Sequence, residues 1–157
     1  MIEDVENNKT KDLDFVKKVV IDNISFSYIS NSKIHGFGLF ADSNIQKNTI
    51  LGILDGQIMD WNNYDNLSDF LKNEFNIYKN YIFMEWNALN NKTLLVRPFR
   101  TKYSYINHSE NPNVTIKYNP IRIETIRKIT KDEEILINYK NEPLKGDYLE
   151  GYGKSFL

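Results

Sequence analysis

The sequence predicts a mainly β domain that carries one inserted helix. Three observations point to it. Short apolar runs alternate with polar residues and are bounded by Gly, Pro and Asn turns, as in Asn113–Tyr118 and Ile121–Arg127 around Asn119-Pro120. A single stretch changes to three- and four-residue steps: Trp61, Tyr64, Leu67, Leu71, Phe75 and Tyr78. The chain has 157 residues, without an internal repeat or a low-complexity linker, which suits one domain with a sizeable core.

In chain order, residues 1 to about 12 are polar and have no apolar period. Leu13, Phe15, Val16, Val19 and Val20 suit either a short amphipathic helix or an early strand. Ile24, Phe26 and Tyr28 alternate with serines, so Ile24–Ser30 reads as a strand with those three residues on its buried face. Lys33–Ala41 follows, where Gly36 and Gly38 flank Phe37 before an apolar run; glycine here lets the chain turn and lets a ligand approach the backbone. Thr49–Ile58 reads as one strand interrupted by Gly52 and Gly56, and Asp60 as the N-cap of the helix. Tyr81–Trp86 and Thr93–Pro98 form two strands about Asn90-Asn91. After the Asn119-Pro120 hairpin, Lys131-Asp132 turns the chain into a short strand, Glu133–Tyr139. The segment Tyr103–Asn113 is the most unusual: aromatic residues that need burial run into Asn107-His108-Ser109 and Asn111-Pro112-Asn113. Polar groups in such a turn must be occupied, by an Asx-type turn or by a bound ligand.

Composition excludes several function classes. A net charge of −1 without a long basic run disfavours nucleic-acid binding. No apolar run approaches a membrane span, and the N-terminus lacks a signal-peptide core, so no membrane partner and a cytoplasmic location are expected. With no cysteine and two histidines, no metal site is expected. The sequence has no nucleophile elbow and no phosphate-cradling loop. Glu133 and Glu134 are expected to point to opposite faces and to be solvated rather than to work as a catalytic pair. His35 is expected to be a surface turn residue. Asp60, Asp65, Asp69, Glu74 and Glu85 could attract a basic peptide, although solvated charge explains them equally.

Three separated stretches then resemble one family. Gly36-Phe37-Gly38-Leu39-Phe40-Ala41, Tyr105-Ile106-Asn107-His108-Ser109-Glu110-Asn111-Pro112-Asn113 and Glu133-Glu134-Ile135-Leu136-Ile137-Asn138-Tyr139 are similar, in order and spacing, to the motifs of the SET domain of protein lysine methyltransferases. The resemblance spans about residues 22 to 140. It implies a β-clip-like fold of several small sheets with a C-terminal pseudoknot, flanked by an N-terminal extension (1–21) and a closing C-terminal segment (141–157).

It also implies a function: S-adenosylmethionine-dependent N-methylation of a lysine in a protein or peptide. Main-chain groups around Gly36, Phe37 and Gly38 would hold the donor's amino-acid end. The Asn107 side chain and His108 backbone would contact the donor, and Tyr148, Tyr152 and Phe156 are candidates for covering its adenine. Tyr139 would be the catalytic tyrosine, and Tyr105, Ile137 and Leu54 would wall the lysine channel.

The chain departs from the family pattern in places. Ser104 replaces the usual Arg, Glu110 the usual Cys and Leu54 a frequent tyrosine, and the Cys-rich zinc segment is missing. A degenerate module of the same fold, binding peptide or cofactor without transfer, is therefore the alternative; the presence of Tyr139 with Asn107-His108 favours transfer. Monomer and homodimer remain equally open, as does the number of methyls added.

Overall fold

Among the described residues, four small sheets wrap a main core, and the last motif is clamped between two other segments of chain. The computed structural model describes residues 12–74, 85–144 and 146. The first described element is helix α1 (Leu13–Val19), so Leu13–Val19 is helical rather than an early strand. The Asp12 carboxylate accepts the N–H groups of Asp14 and Phe15 at 2.9 and 3.1 Å, and Lys17 and Lys18 lie in the last turn, where the helix dipole favours cations. Val16 is buried in the main core.

Strands β1 (Ser27–Asn31) and β2 (Phe37–Ala41) form an antiparallel hairpin. Here the expected face is wrong. Phe26 has φ +57° and is exposed, so the strand starts one residue later, with Ser27 and Ile29 turned inward; Ile24 is buried from the preceding turn. A single left-handed residue shifted the alternation by one, which reverses every face.

The expected strand Thr49–Ile58 is in fact two, β3 (Ile50–Ile53) and β4 (Gln57–Asp60), in different sheets. The break is Leu54-Asp55-Gly56: Gly56 has φ +159°, and a Cβ there would stand 2.7 Å from the Val96 carbonyl. Helix α2 (Trp61–Glu74) follows at once, with Asp60 accepting the Asn63 N–H at 2.8 Å as its N-cap. Trp61 and Tyr64 pack edge-on against Trp86 in a small second core, so this part of the aromatic stripe is structural. Phe75 and Tyr78 lie outside the described residues, as do 81–84 of the expected Tyr81–Trp86 strand.

Strand β5 (Glu85–Ala88) pairs with β6 (Thr93–Arg97), and β4 closes the other side in the order β4-β6-β5. A 3₁₀ turn (Lys102–Tyr105) leads to the two-residue strand β7 (Asn107–His108). The hairpin of β8 (Val114–Lys117) and β9 (Arg122–Thr125) matches the expected Asn119-Pro120 turn and joins β3 in the order β3-β9-β8. Of the expected strand Glu133–Tyr139, only β10 (Leu136–Ile137) is regular. It runs parallel to β7, and a second 3₁₀ turn (Tyr139–Asn141) follows. Among the described residues, no helix is long and apolar enough to cross a membrane.

Candidate active site

Much of the polar turn after Tyr105 is satisfied by the chain itself, although the buried His108 Nε2 has no hydrogen-bond partner among the described residues. Asn113 is fully buried; its side-chain oxygen accepts the Leu136 N–H at 2.8 Å and its amide donates to the Glu134 carbonyl at 2.7 Å. Backbone bonds repeat the clasp, from Ser109 N–H to the Ile137 carbonyl (2.9 Å) and from Asn113 N–H to the Leu136 carbonyl (3.0 Å). On the opposite flank the Ile135 N–H donates to the Leu39 carbonyl at 2.7 Å. Residues 133–137 are thus held between β2 and the 107–113 turn. This embrace carries Tyr139 to residues 106–108, from which it is separated by about thirty positions of sequence.

Tyr139 is fixed at both ends. Its N–H donates to Nδ1 of His108 at 3.1 Å, and its hydroxyl donates to the Ile106 carbonyl at 2.6 Å. The two rings lie 5.3 Å apart. An Nδ1 that accepts a backbone N–H belongs to a neutral imidazole protonated at Nε2. Burial, helped by the nearby Lys140 charge and opposed by Glu110, holds the His108 pKa below its ordinary value. Lys140 in turn pairs with Glu110 at 2.9 Å, an exposed bridge from the 107–113 turn to the turn after Tyr139.

The glycine turn meets the same place. Gly36 has φ +48°, and the Asn107 amide faces the carbonyls of His35 and Phe37 at 3.3 Å each and the Glu134 carboxylate at 2.8 Å. Gly38 is buried against that carboxylate: an added Cβ would overlap Glu134 Oε1 and lie 2.9 Å from its Cδ. His35 itself is exposed, as expected.

Leu54, Tyr105 and Ile137 are buried members of the main core, and Phe37 and Tyr139 pack on its margin. Five of the residues assigned from sequence are therefore joined by direct bonds or close approach: Phe37, Gly38 and Asn107 around Glu134, and His108 with Tyr139 beside Ile106. The other three assigned aromatics, Tyr148, Tyr152 and Phe156, lie outside the described residues.

Two polar clusters escaped the sequence reading. Glu133 and Glu134 do point apart, but neither is merely solvated. Glu133 pairs with Arg127 at 2.6 Å, and Glu134 takes hydrogen bonds from Ser32 (2.8 Å) and Asn107. Glu85 is no lure for a basic peptide either. It is buried on Arg97 (2.5 Å) and accepts from the Thr101 N–H and hydroxyl and from the Ser104 hydroxyl, so Ser104 works here as a neutral donor. The inward alternation of Glu85 and Asn87 on β5, facing Arg97 on β6, was the available signal.

Beside this network, Glu142 caps the turn after Tyr139 and accepts the Tyr103 hydroxyl at 3.0 Å. Burial pushes the Glu142 carboxyl up to about 7, only partly opposed by Tyr103, the Ala88 backbone, Asn87 and Arg97. Burial also raises Tyr118 to about 12, with the Glu142 charge adding to it. A carboxyl whose pKa is raised on folding binds more protons in the native state, so its contribution to stability is lost as pH climbs from about 4.5 through 7. Glu142→Gln, which keeps an acceptor for Tyr103, is expected to gain roughly 3 kcal/mol over wild type at pH 8. The gap should shrink at pH 5; urea unfolding at both pH values measures it.

The sequence matches the family described as SET domain over residues 36–140. A histone-lysine N-methyltransferase, MEDEA of Arabidopsis thaliana, is 26% identical over 130 residues, covering 78% of this chain and 18% of the relative. The chain thus spans less than a fifth of that curated relative's length.

Proposed function

Because the chain belongs to the SET-domain family, we propose that it is an S-adenosylmethionine-dependent protein-lysine N-methyltransferase with Tyr139 as its catalytic residue. The observation that carries this reading is the convergence of the Tyr139 hydroxyl on the Ile106 carbonyl at 2.6 Å, next to Asn107-His108. The glycine turn fits an amino-acid-bearing donor: backbone carbonyls are presented at His35 and Phe37, and glycine at 36 leaves open space for close approach. Gly36–Gly38 would hold the amino-acid end, and the Asn107 side chain and His108 backbone the remainder. S-adenosylmethionine supplies, when bound, a methyl activated on a sulfonium.

The protein's work is alignment and dryness. Methyl transfer needs the amine held in line, and alignment alone can account for several kcal/mol of a barrier. The Tyr139 oxygen and the Ile106 carbonyl are acceptors for the amine's N–H groups. The amine must arrive neutral, whereas an exposed lysine has a pKa of about 10.4. Apolar surroundings lower it by desolvation, and the buried Leu54, Tyr105 and Ile137 would supply them. In this reading residues 22–140 form the catalytic domain, and 141–157 close the cofactor site.

Incubating the protein with a donor carrying a deuterated methyl and a randomised peptide library with one central lysine tests the proposal. Label on the lysine Nζ is expected. Binding of S-adenosylhomocysteine with no label on any peptide would instead favour a module that binds without transfer.

A further inference from the structure

The two 3₁₀ turns beside the site are cross-linked twice, in matching fashion. In each, the residue that ends the turn donates its N–H back to a tyrosine carbonyl: Ile106 to Tyr103 and Glu142 to Tyr139, both at 3.1 Å. Each tyrosine then reaches across to the end of the other turn. The Tyr139 hydroxyl donates to the Ile106 carbonyl at 2.6 Å, and the Tyr103 hydroxyl donates to Glu142 Oε1 at 3.0 Å. The first arm belongs to the chemistry described above, whereas the second touches no reacting group. Burial holds the Tyr103 pKa well above its ordinary value, with the nearby Glu142 and Tyr139 charges adding to it, so this phenol stays a donor over any ordinary working pH. Its ring is buried beside Arg97, whose guanidinium lies 5.7 Å from the ring centre and bonds Glu85 and Asn87 on β5. The second arm therefore ties the turn after β10 to the β4-β6-β5 sheet.

We propose that Tyr103 and Glu142 are positioning residues for methyl transfer: their hydrogen bond holds the turn that carries Tyr139, and so sets where the Tyr139 hydroxyl stands. This rests on the transfer reading above. The elements around Tyr139 are too short to fix it alone. Strands β7 and β10 have two residues each and the turn has three, and 3₁₀ hydrogen bonds have poorer geometry than α-helical ones. A displacement of about 1 Å at a reacting group can cost about 100-fold in rate. A purely structural role accounts poorly for Glu142. Burial raises its carboxyl to about 7, so its contribution to stability falls as pH climbs to that value. Groups that weaken the fold where they stand are characteristic of sites that trade stability for activity.

Four measurements on the full chain at pH 8 test this together: single-turnover transfer to the lysine peptide library, S-adenosylhomocysteine affinity, amide exchange over residues 139–144 in the free protein, and urea unfolding. Tyr103→Phe removes the hydroxyl and leaves the ring beside Arg97. It is expected to slow transfer about 10- to 100-fold while S-adenosylhomocysteine affinity stays within about twofold. Amide exchange over 139–144 should quicken about tenfold, with the β8–β9 hairpin unchanged. Adding Glu142→Leu should cost little further transfer, since both changes remove the same bond. It should not lower the urea midpoint either, because both partners are then apolar. Glu142→Gln alone keeps an acceptor for Tyr103 and should transfer within about threefold of wild type. Transfer by Tyr103→Phe near the wild-type rate, losses that multiply in the double variant, or losses that only track the urea midpoint would overturn the proposal. A wild type that binds S-adenosylhomocysteine but transfers no methyl would instead overturn the transfer reading, and unchanged exchange in Tyr103→Phe would then remove the arm as well.

Discussion

Tyr139→Phe is expected to lower single-turnover methyl transfer by about 100-fold or more, while S-adenosylhomocysteine affinity stays within about twofold. The hydroxyl is one oriented dipole at the reacting amine, and removing one such group from a preorganised site costs roughly 10²–10³ in rate. The fold should survive. The lost bond to the Ile106 carbonyl is worth about 1 kcal/mol, and the ring keeps its place beside His108 through the Tyr139 N–H. Turnover near wild type would remove Tyr139 from its assigned role.

Arg97→Met should bring the largest loss of stability, about 3–5 kcal/mol in urea unfolding. The guanidinium is buried and bonds three groups on two segments: Nε on Glu85 at 2.5 Å and Nη2 on Asn87 at 2.5 Å, both on β5, and Nη1 on the Asp55 carbonyl at 3.1 Å. It also lies 5.7 Å from the centre of the Tyr103 ring. Methionine fills much of the volume but leaves the Glu85 carboxylate buried with only neutral donors. Adding Glu85→Gln to Arg97→Met should recover part of the loss, because the uncompensated charge is then gone. A loss under about 1 kcal/mol for the single variant would mean that the pair is not the buried junction described. The consequence reaches the site, since Asp55 adjoins Leu54 and Tyr103 adjoins the Glu142 cap of the Tyr139 turn.

Local pattern sufficed where one hairpin or helix decided the outcome. The β8–β9 hairpin, the cap at Asp60 and the turn at Asn90 follow from nearest neighbours, and the structure has them. Alternation failed at Phe26, because a positive φ is invisible to a period-2 count, and at Leu54–Gly56, because a strand that changes sheets keeps its composition. The site motifs were legible as a resemblance, but the bonds that unite them were not. Glu134 illustrates the reason. Its side chain does point away from Glu133, yet both faces of this segment are covered by other chain, so an outward-facing residue lands on Ser32 and Asn107 instead of water. Arg97, Glu85 and Glu142 were missed on similar grounds, since their partners lie on elements whose packing no local pattern encodes.

A crystal structure of the full chain soaked with S-adenosylhomocysteine bears most directly on the account. The ligand's adenine is expected against the His108 backbone, its amino-acid end at the Gly36–Gly38 turn, and its sulfur directed at the Tyr139 hydroxyl. A ligand seated elsewhere, or one whose sulfur faces away from that hydroxyl, would contradict it.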